Sequence, residues 1–188
     1  LQPRIDEIEA GEMTEVSNGQ KHPQLPHDIH QQLAECGFIG ISFPEEYNGM
    51  GMGHVEQAIV IKELSRVSPS VGKCLDVYIL GLEALDLYAN HEQKMKYLPD
   101  LCSGKKIGAF GLTEPGAGTD ASGQQTTAVK DGDDWILNGS KCFITNGDTA
   151  STYTVLAVTD RAKGYRGMTM FVVEKGMPGF STGVHEKK

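Results

Sequence analysis

No apolar run in this 188-residue sequence approaches the ~20 residues that a membrane-crossing helix needs, so a soluble chain is expected. Basic residues are scarce. Lys and Arg number 17 against 25 Asp and Glu, and the net charge of −8 argues against a nucleic-acid backbone as partner, which demands clustered cations. The opening LQPRIDEIEAG lacks the apolar stretch of a secretory signal. Four cysteines, Cys36, Cys74, Cys102 and Cys142, are widely spread, form no CxxC pair and have no histidine at ligand spacing. Structural zinc is therefore not expected, and reduced, partly buried thiols in a reducing compartment are.

What is present is ordinary globular material, 39% hydrophobic and 22% charged, with mass for one domain or two small ones. There is no initiator Met. The first residues read as the tail of a helix and PGFSTGVHEKK as a strand just begun, so the sequence is expected to be part of a longer polypeptide.

Up to about residue 103 the spacing is helical. Ile29, Leu33 and Cys36 share a face over residues 27–36, with Pro26 ahead and Gly37 as the stop. Residues 38–53 read as an irregular loop. Val60, Leu64 and Val67, with Val55 or Ile59, mark a second helix over 54–67, ended by Ser68-Pro69-Ser70. A stronger period follows in Val71, Cys74, Leu75, Tyr78, Ile79, Leu82, Leu85 and Tyr88. A short helix, HEQKMKYL, precedes Pro99. The character then changes: KIGAFGLT, TTAVK, WIL, KCFIT, TYTVLAVT and MTMFVVEK read as short strands, and Asp131-Gly132-Asp133-Asp134 as a hairpin turn. Helices first and strands second predict an α+β protein with two segregated domains, residues 1–105 helical and 106–188 a mainly antiparallel β-domain.

Within GLTEPGAGTDASG, residues Gly116, Gly118 and Ala121 fit the glycine fingerprint of a dinucleotide-binding loop. Such a loop must open a helix, and the following ASGQQTTAVKDGDDW has β-formers and a turn instead, so that reading is excluded. The glycines then read either as a plain surface turn or as a place where backbone amides approach an anion, with Thr113, Thr119 and Ser122 adding hydroxyls. Phe143-Ile144-Thr145 is expected to end a strand, offering an aromatic face beside a hydroxyl, which suits a flat heteroaromatic ligand as well as an ordinary strand end. His22, His27, His30 and His54 read as solvated or capping residues. The Met50/Met52 and Met168/Met170 pairs read as core or loop filler, Tyr78 and Tyr88 as helix packing, and Lys187-Lys188 as an exposed pair.

GAFGLTEPGAGTDASG, WILNGSKCFITNG and MTMFVVEKGMPGF together resemble the acyl-CoA dehydrogenases, above all the short-chain, butyryl-type members. GFIGISFPEEYNGMG and HEQKMKYLPDLCSGKKIGAFGLTEP extend the likeness to residues 25–188. The resemblance implies an N-terminal helical domain and a middle β-domain, without the family's C-terminal helical domain. It implies FAD as cofactor, an acyl-CoA thioester oxidised to 2-enoyl-CoA, electron-transfer flavoprotein as acceptor, and a homotetramer in a bacterial cytoplasm or mitochondrial matrix. Phe110, Leu112 and Thr113 would then lie along the isoalloxazine. Thr113 and Thr145 would bond its polar edge, Thr145 close to N5, with Ile144 beside it. Gly118 and Thr119 would face the pyrophosphate, and Thr119 would border the acyl-CoA. The family often has Trp where Phe143 stands, so stacking is kept and an indole donor lost. The catalytic base is a Glu expected beyond Lys188, and Glu114 is given a structural role. An acyl-CoA oxidase, a flavin monooxygenase and a non-catalytic fragment are the alternatives.

Overall fold

A computed structural model describes residues 27–183, strands Thr14–Ser17 and Gln20–Pro23, and Arg4, Asp6 and Ile8. The readings of the opening segment, Pro26, the His22 side chain and Lys187-Lys188 lie outside these residues. The chain divides into two compact units after Gly108. Among the described residues no helix is long and apolar enough to cross a membrane.

In the first unit, β1 (Thr14–Ser17) and β2 (Gln20–Pro23) pair antiparallel, from Thr14↔Pro23 to Ser17↔Gln20. Helices α1 (His27–Glu35), α2 (His54–Val67), α3 (Pro69–Tyr88) and α4 (His91–Cys102) follow. Ser68 separates α2 from α3 and caps the latter: its hydroxyl accepts from the Val71 amide at 3.2 Å, and Pro69 takes the first helical position, where no amide is needed. Asn90 and Gln93 cap α4 reciprocally. The central helix α3 buries Val71, Leu75, Tyr78, Ile79, Leu82 and Leu85, a stripe at three- and four-residue steps.

Several expectations are corrected here. Helix α4 does not stop before Pro99 but runs through it to Cys102. Proline forfeits the bond to the fourth residue back and crowds that carbonyl, but the turn beyond it is closed by the Ser103 hydroxyl, which donates to the Pro99 carbonyl at 2.7 Å. Cys36 is exposed because α1 ends before it, and Tyr88 is 80% exposed in the last turn of α3. Helix α2 fully buries nothing; Val60, Leu64 and Val67 are half-buried, while Val55 and Ile59 face outward. Met50 and Met52 are exposed, Met168 and Met170 half-buried. The irregular segment 38–53 supplies Ile39, Ile41, Phe43 and Tyr47 to the core.

His30 is not solvated but 6% exposed, with Nε2 3.2 Å from the Gly104 carbonyl and its ring 5.6 Å from that of Tyr78. Burial lowers its pKa, the Gly104 bond opposes the shift, and the His27 charge adds to it. The Tyr78 hydroxyl reaches two carbonyls, Leu101 at 2.8 Å and Lys106 at 2.7 Å, and so ties α3 to the chain leaving α4.

The second unit is a mixed sheet. Strands β4 (Thr127–Asp131) and β5 (Asp134–Asn138) form a hairpin around Gly132-Asp133, with Gly132 left-handed at φ +61°. Strand β6 (Thr152–Val158) pairs antiparallel with β7 (Met168–Glu174) along its whole length. On its other edge β6 meets β3 (Gly108–Gly111) and, in parallel at Thr127↔Val158, the start of β4. Thr152, Tyr153, Thr154, Ala157 and Val158 of β6 are buried. KCFIT is not a strand. Phe143 at φ +57° and Asn146 at φ +61° break the extended path, and residues 139–150 form an irregular connection. Residues 178–183 are likewise not a strand.

Tyr78→Phe removes a buried donor that serves the Leu101 and Lys106 carbonyls and is expected to destabilise the fold by ~1–3 kcal/mol in urea unfolding followed by circular dichroism. An unchanged midpoint would show that the hydroxyl carries no weight.

Candidate functional site

Strand β3 ends at Gly111, where a Cβ would sit 3.2 Å from Val155. Leu112 and Thr113 continue half-buried. Glu114 and Ala117 then exchange amide-to-carbonyl bonds of 3.1 Å in both directions, closing a tight turn over Pro115-Gly116. Gly116 and Gly118 are not left-handed, and a Cβ at either would meet nothing within 4 Å. Neither backbone strain nor packing within the described residues calls for glycine there; the loop presents bare backbone to its surroundings. Asp120 accepts from the Ser122 amide at 3.0 Å and from its hydroxyl, capping a single 3-10 turn, Ala121–Gly123. No α-helix follows, so the dinucleotide-loop geometry is absent.

Beneath the loop lies a polar cluster that sequence reading missed. Lys141 donates to Glu114 Oε1 at 2.8 Å, Gln124 Oε1 at 2.5 Å and the Leu112 carbonyl at 3.1 Å. Gln124 Nε2 donates to the same carbonyl at 2.9 Å. Glu114 also accepts from the amides of Gln125 at 2.6 Å and Thr126 at 3.0 Å. Glu114 is 6% exposed and Gln124 fully buried. Burial alone would raise the Glu114 pKa, but the Lys141 bond and the two amides outweigh it and hold it at about 2. Burial pushes Lys141 down, and Glu114 restores only part of that. Glu114 therefore has a structural place. The sequence signal was available in principle: a carboxylate between small and apolar residues needs a cation, and Lys141 stands in a neighbouring motif. Nothing in one dimension says that the two meet.

The cluster holds segment 110–113 beside segment 141–145, and the Cys142 amide donates to the Thr113 carbonyl at 2.9 Å. The structure thus sets Leu112 against Lys141 and Thr113 against Cys142, with Phe110 following from the first segment and Phe143, Ile144 and Thr145 from the second. Gly118 and Thr119 follow the Glu114–Ala117 turn and are exposed. Phe143 is 63% exposed and held left-handed, a conformation that bulky side chains rarely accept and that a binding role can explain. The amides and hydroxyls of Thr113 and Thr145 bond to no protein group among the described residues. An exposed ring beside uncommitted donors can receive a flat ligand with a polar edge. Among the described residues no cluster of His, Cys, Asp and Glu could hold a metal ion.

The sequence matches the families described as "Acyl-CoA dehydrogenase, N-terminal domain" over residues 5–105 and "Acyl-CoA dehydrogenase, middle domain" over residues 109–188. The chain belongs to the acyl-CoA dehydrogenase family, and its helices followed by a sheet are the fold of those two domains. It is 44% identical over 166 residues to the short-chain specific acyl-CoA dehydrogenase of Clostridium acetobutylicum, covering 88% of this chain and 44% of that one. It is similar to the structure of butyryl-CoA dehydrogenase from Megasphaera elsdenii, with a TM-score of 0.86 and 38% identity over 100% of this chain and 48% of that one. A chain in a structure described as the electron transferring flavoprotein of Acidaminococcus fermentans has a TM-score of 0.89 and 43% identity, over 100% of this chain and 47% of that one. This chain spans somewhat under half the length of the curated relatives it matches.

The depressed Glu114 pKa has a defined sign. Its stabilising contribution is present above the ordinary value of 4.5 and is lost as pH falls toward about 2, an amount of ~3 kcal/mol. Glu114→Gln should remove that component of the acid transition and, by leaving Lys141 buried and unpaired, cost ~3–5 kcal/mol at neutral pH. Urea midpoints measured from pH 7 to pH 2 check both. An unaltered acid limb would place the proton-linked loss elsewhere.

Proposed function

We propose that the chain is the flavin-binding part of an acyl-CoA dehydrogenase that oxidises a short acyl-CoA to its 2-enoyl-CoA and passes the electrons to an electron-transfer flavoprotein. Residues 1–105 are the N-terminal helical domain and 106–188 the middle β-domain, in a homotetramer of a bacterial cytoplasm or mitochondrial matrix. The observation that carries this reading is the pairing of an exposed, left-handed Phe143 with the uncommitted donors of Thr113 and Thr145. Family membership and the short-chain relative support it.

In this reading Phe110 and Leu112 give FAD an apolar wall, and the Phe143 ring and Ile144 cover it from segment 141–145. Thr113 and Thr145 donate hydrogen bonds to the polar edge of the ring and so stabilise the negative charge that reduction brings. Gly118 and Thr119 leave open backbone for the pyrophosphate, and Thr119 borders the thioester substrate. Bound FAD supplies the acceptor for the β-hydrogen, taken as hydride. The α-proton needs a carboxylate base, and Glu114 cannot serve. Its oxygens are committed to Lys141 and two amides, and a pKa of about 2 makes it a poor proton acceptor.

Anaerobic addition of butyryl-CoA should bleach the visible flavin bands of the protein; bands that persist would overturn the reading. Slow reoxidation on admitting air is expected, and rapid reoxidation with peroxide would identify an oxidase instead. Phe143→Gly should raise the FAD dissociation constant about tenfold through lost stacking. It should leave fold stability within ~1 kcal/mol, because the exposed ring contributes little and glycine relieves the left-handed backbone.

A further inference from the structure

Residues 141 and 142 grip two successive carbonyls of the 110–113 segment. Lys141 reaches the Leu112 oxygen through its side chain at 3.1 Å, and Cys142 reaches the Thr113 oxygen through its amide at 2.9 Å. The Leu112 oxygen accepts a second bond, 2.9 Å from Gln124 Nε2, which uses its remaining lone pair. Gln124 has one orientation available, since its Oε1 takes a Lys141 proton and its Nε2 must then face Leu112. Glu114 completes the set by holding Lys141 from the other side.

The same peptide unit carries the Thr113 N–H. The Leu112–Thr113 peptide is trans and planar, so its C=O and N–H point in opposite directions. A carbonyl drawn inward by two donors turns the Thr113 N–H away from the cluster, and that N–H meets no protein acceptor among the described residues. A buried ion pair is a poor device for stability alone, because well-packed apolar residues serve equally or better. An apolar pair could not fix the direction of a carbonyl. We propose that Lys141 and Gln124, held by Glu114, are positioning residues that aim the Thr113 N–H at the polar edge of the flavin. The proposal rests on the reading that FAD lies along residues 110–113 and 143–145.

The test compares the protein with the paired variant Glu114→Gln/Lys141→Met, which carries no unpaired buried charge, and with Gln124→Met, which keeps the ion pair. FAD affinity is read by flavin fluorescence, fold by circular dichroism, and the two-electron potential of the bound flavin by anaerobic redox titration. A lost hydrogen bond to the edge that gains charge weakens the reduced form more than the oxidised form. The paired variant should therefore bind FAD about tenfold more weakly. For a further tenfold loss in the reduced form, its potential should become about 30 mV more negative. Gln124→Met should move both in the same direction by a smaller amount. Loosened packing alone would weaken both forms alike, so an unchanged potential in the folded variants overturns the proposal. If the paired variant does not fold, Gln124→Met decides the matter by the same criterion. Failure of the unaltered protein to bind FAD would overturn the functional reading instead, and the positioning role with it.

Discussion

The Lys141 ammonium, enclosed by Glu114, Gln124 and the Leu112 carbonyl, is the contact on which the organisation of the β unit depends. Three stretches of chain far apart in sequence end on it: the exit of β3, the approach to β4, and the irregular connection after β5. Each would otherwise be a loop over the sheet with its own freedom. A buried cation cannot be left unpaired, so the energy that compels Glu114 and Gln124 to reach it also fixes the backbone that carries them. Lys141 and two backbone amides hold Glu114 as an anion against its burial, and Glu114 in turn opposes the lowering that burial imposes on the Lys141 pKa.

That rigid underside makes the upper surface intelligible. Phe143 stands exposed in a left-handed conformation, and Thr113 and Thr145 keep their polar groups uncommitted. An unsupported loop would relax away from such an arrangement; here the Cys142–Thr113 bond and the cluster below hold it. Gly116 and Gly118 fit the same logic, being glycine where neither φ nor neighbouring atoms require it. The helical unit follows more familiar rules. Helix α3 supplies a continuous apolar stripe, and the polar groups that must be buried with it, Tyr78 and His30, meet carbonyls released at the end of α4.

Much of the fold was legible because its signals are local. The stripe from Val71 to Leu85, the Ser68-Pro69 helix start and the Asp131–Asp134 hairpin each express a preference of a few adjacent residues. Errors fell mostly where distant contacts overrode local preference, and once where a nearby side chain did. KCFIT has the composition of a strand, yet Lys141 and Cys142 are drawn to Leu112 and Thr113, and Phe143 turns left-handed. Pro99 looked like a stop, but the Ser103 hydroxyl closes the helix beyond it. His30 looked like a surface residue until Gly104 and Tyr78 closed over it.

By itself the sequence determined the class of architecture, the place of most elements and, through several motifs in order, the family. These follow from spacing and composition, which a single dimension records. Tertiary structure alone decided that Glu114 belongs with Lys141 and Gln124, that segment 110–113 lies beside 142–145, and that Phe143 stands outward. Those facts depend on which buried charges and amides find one another once the chain is compact. That is a matter of electrostatics and peptide geometry across tens of residues, and no local preference encodes it.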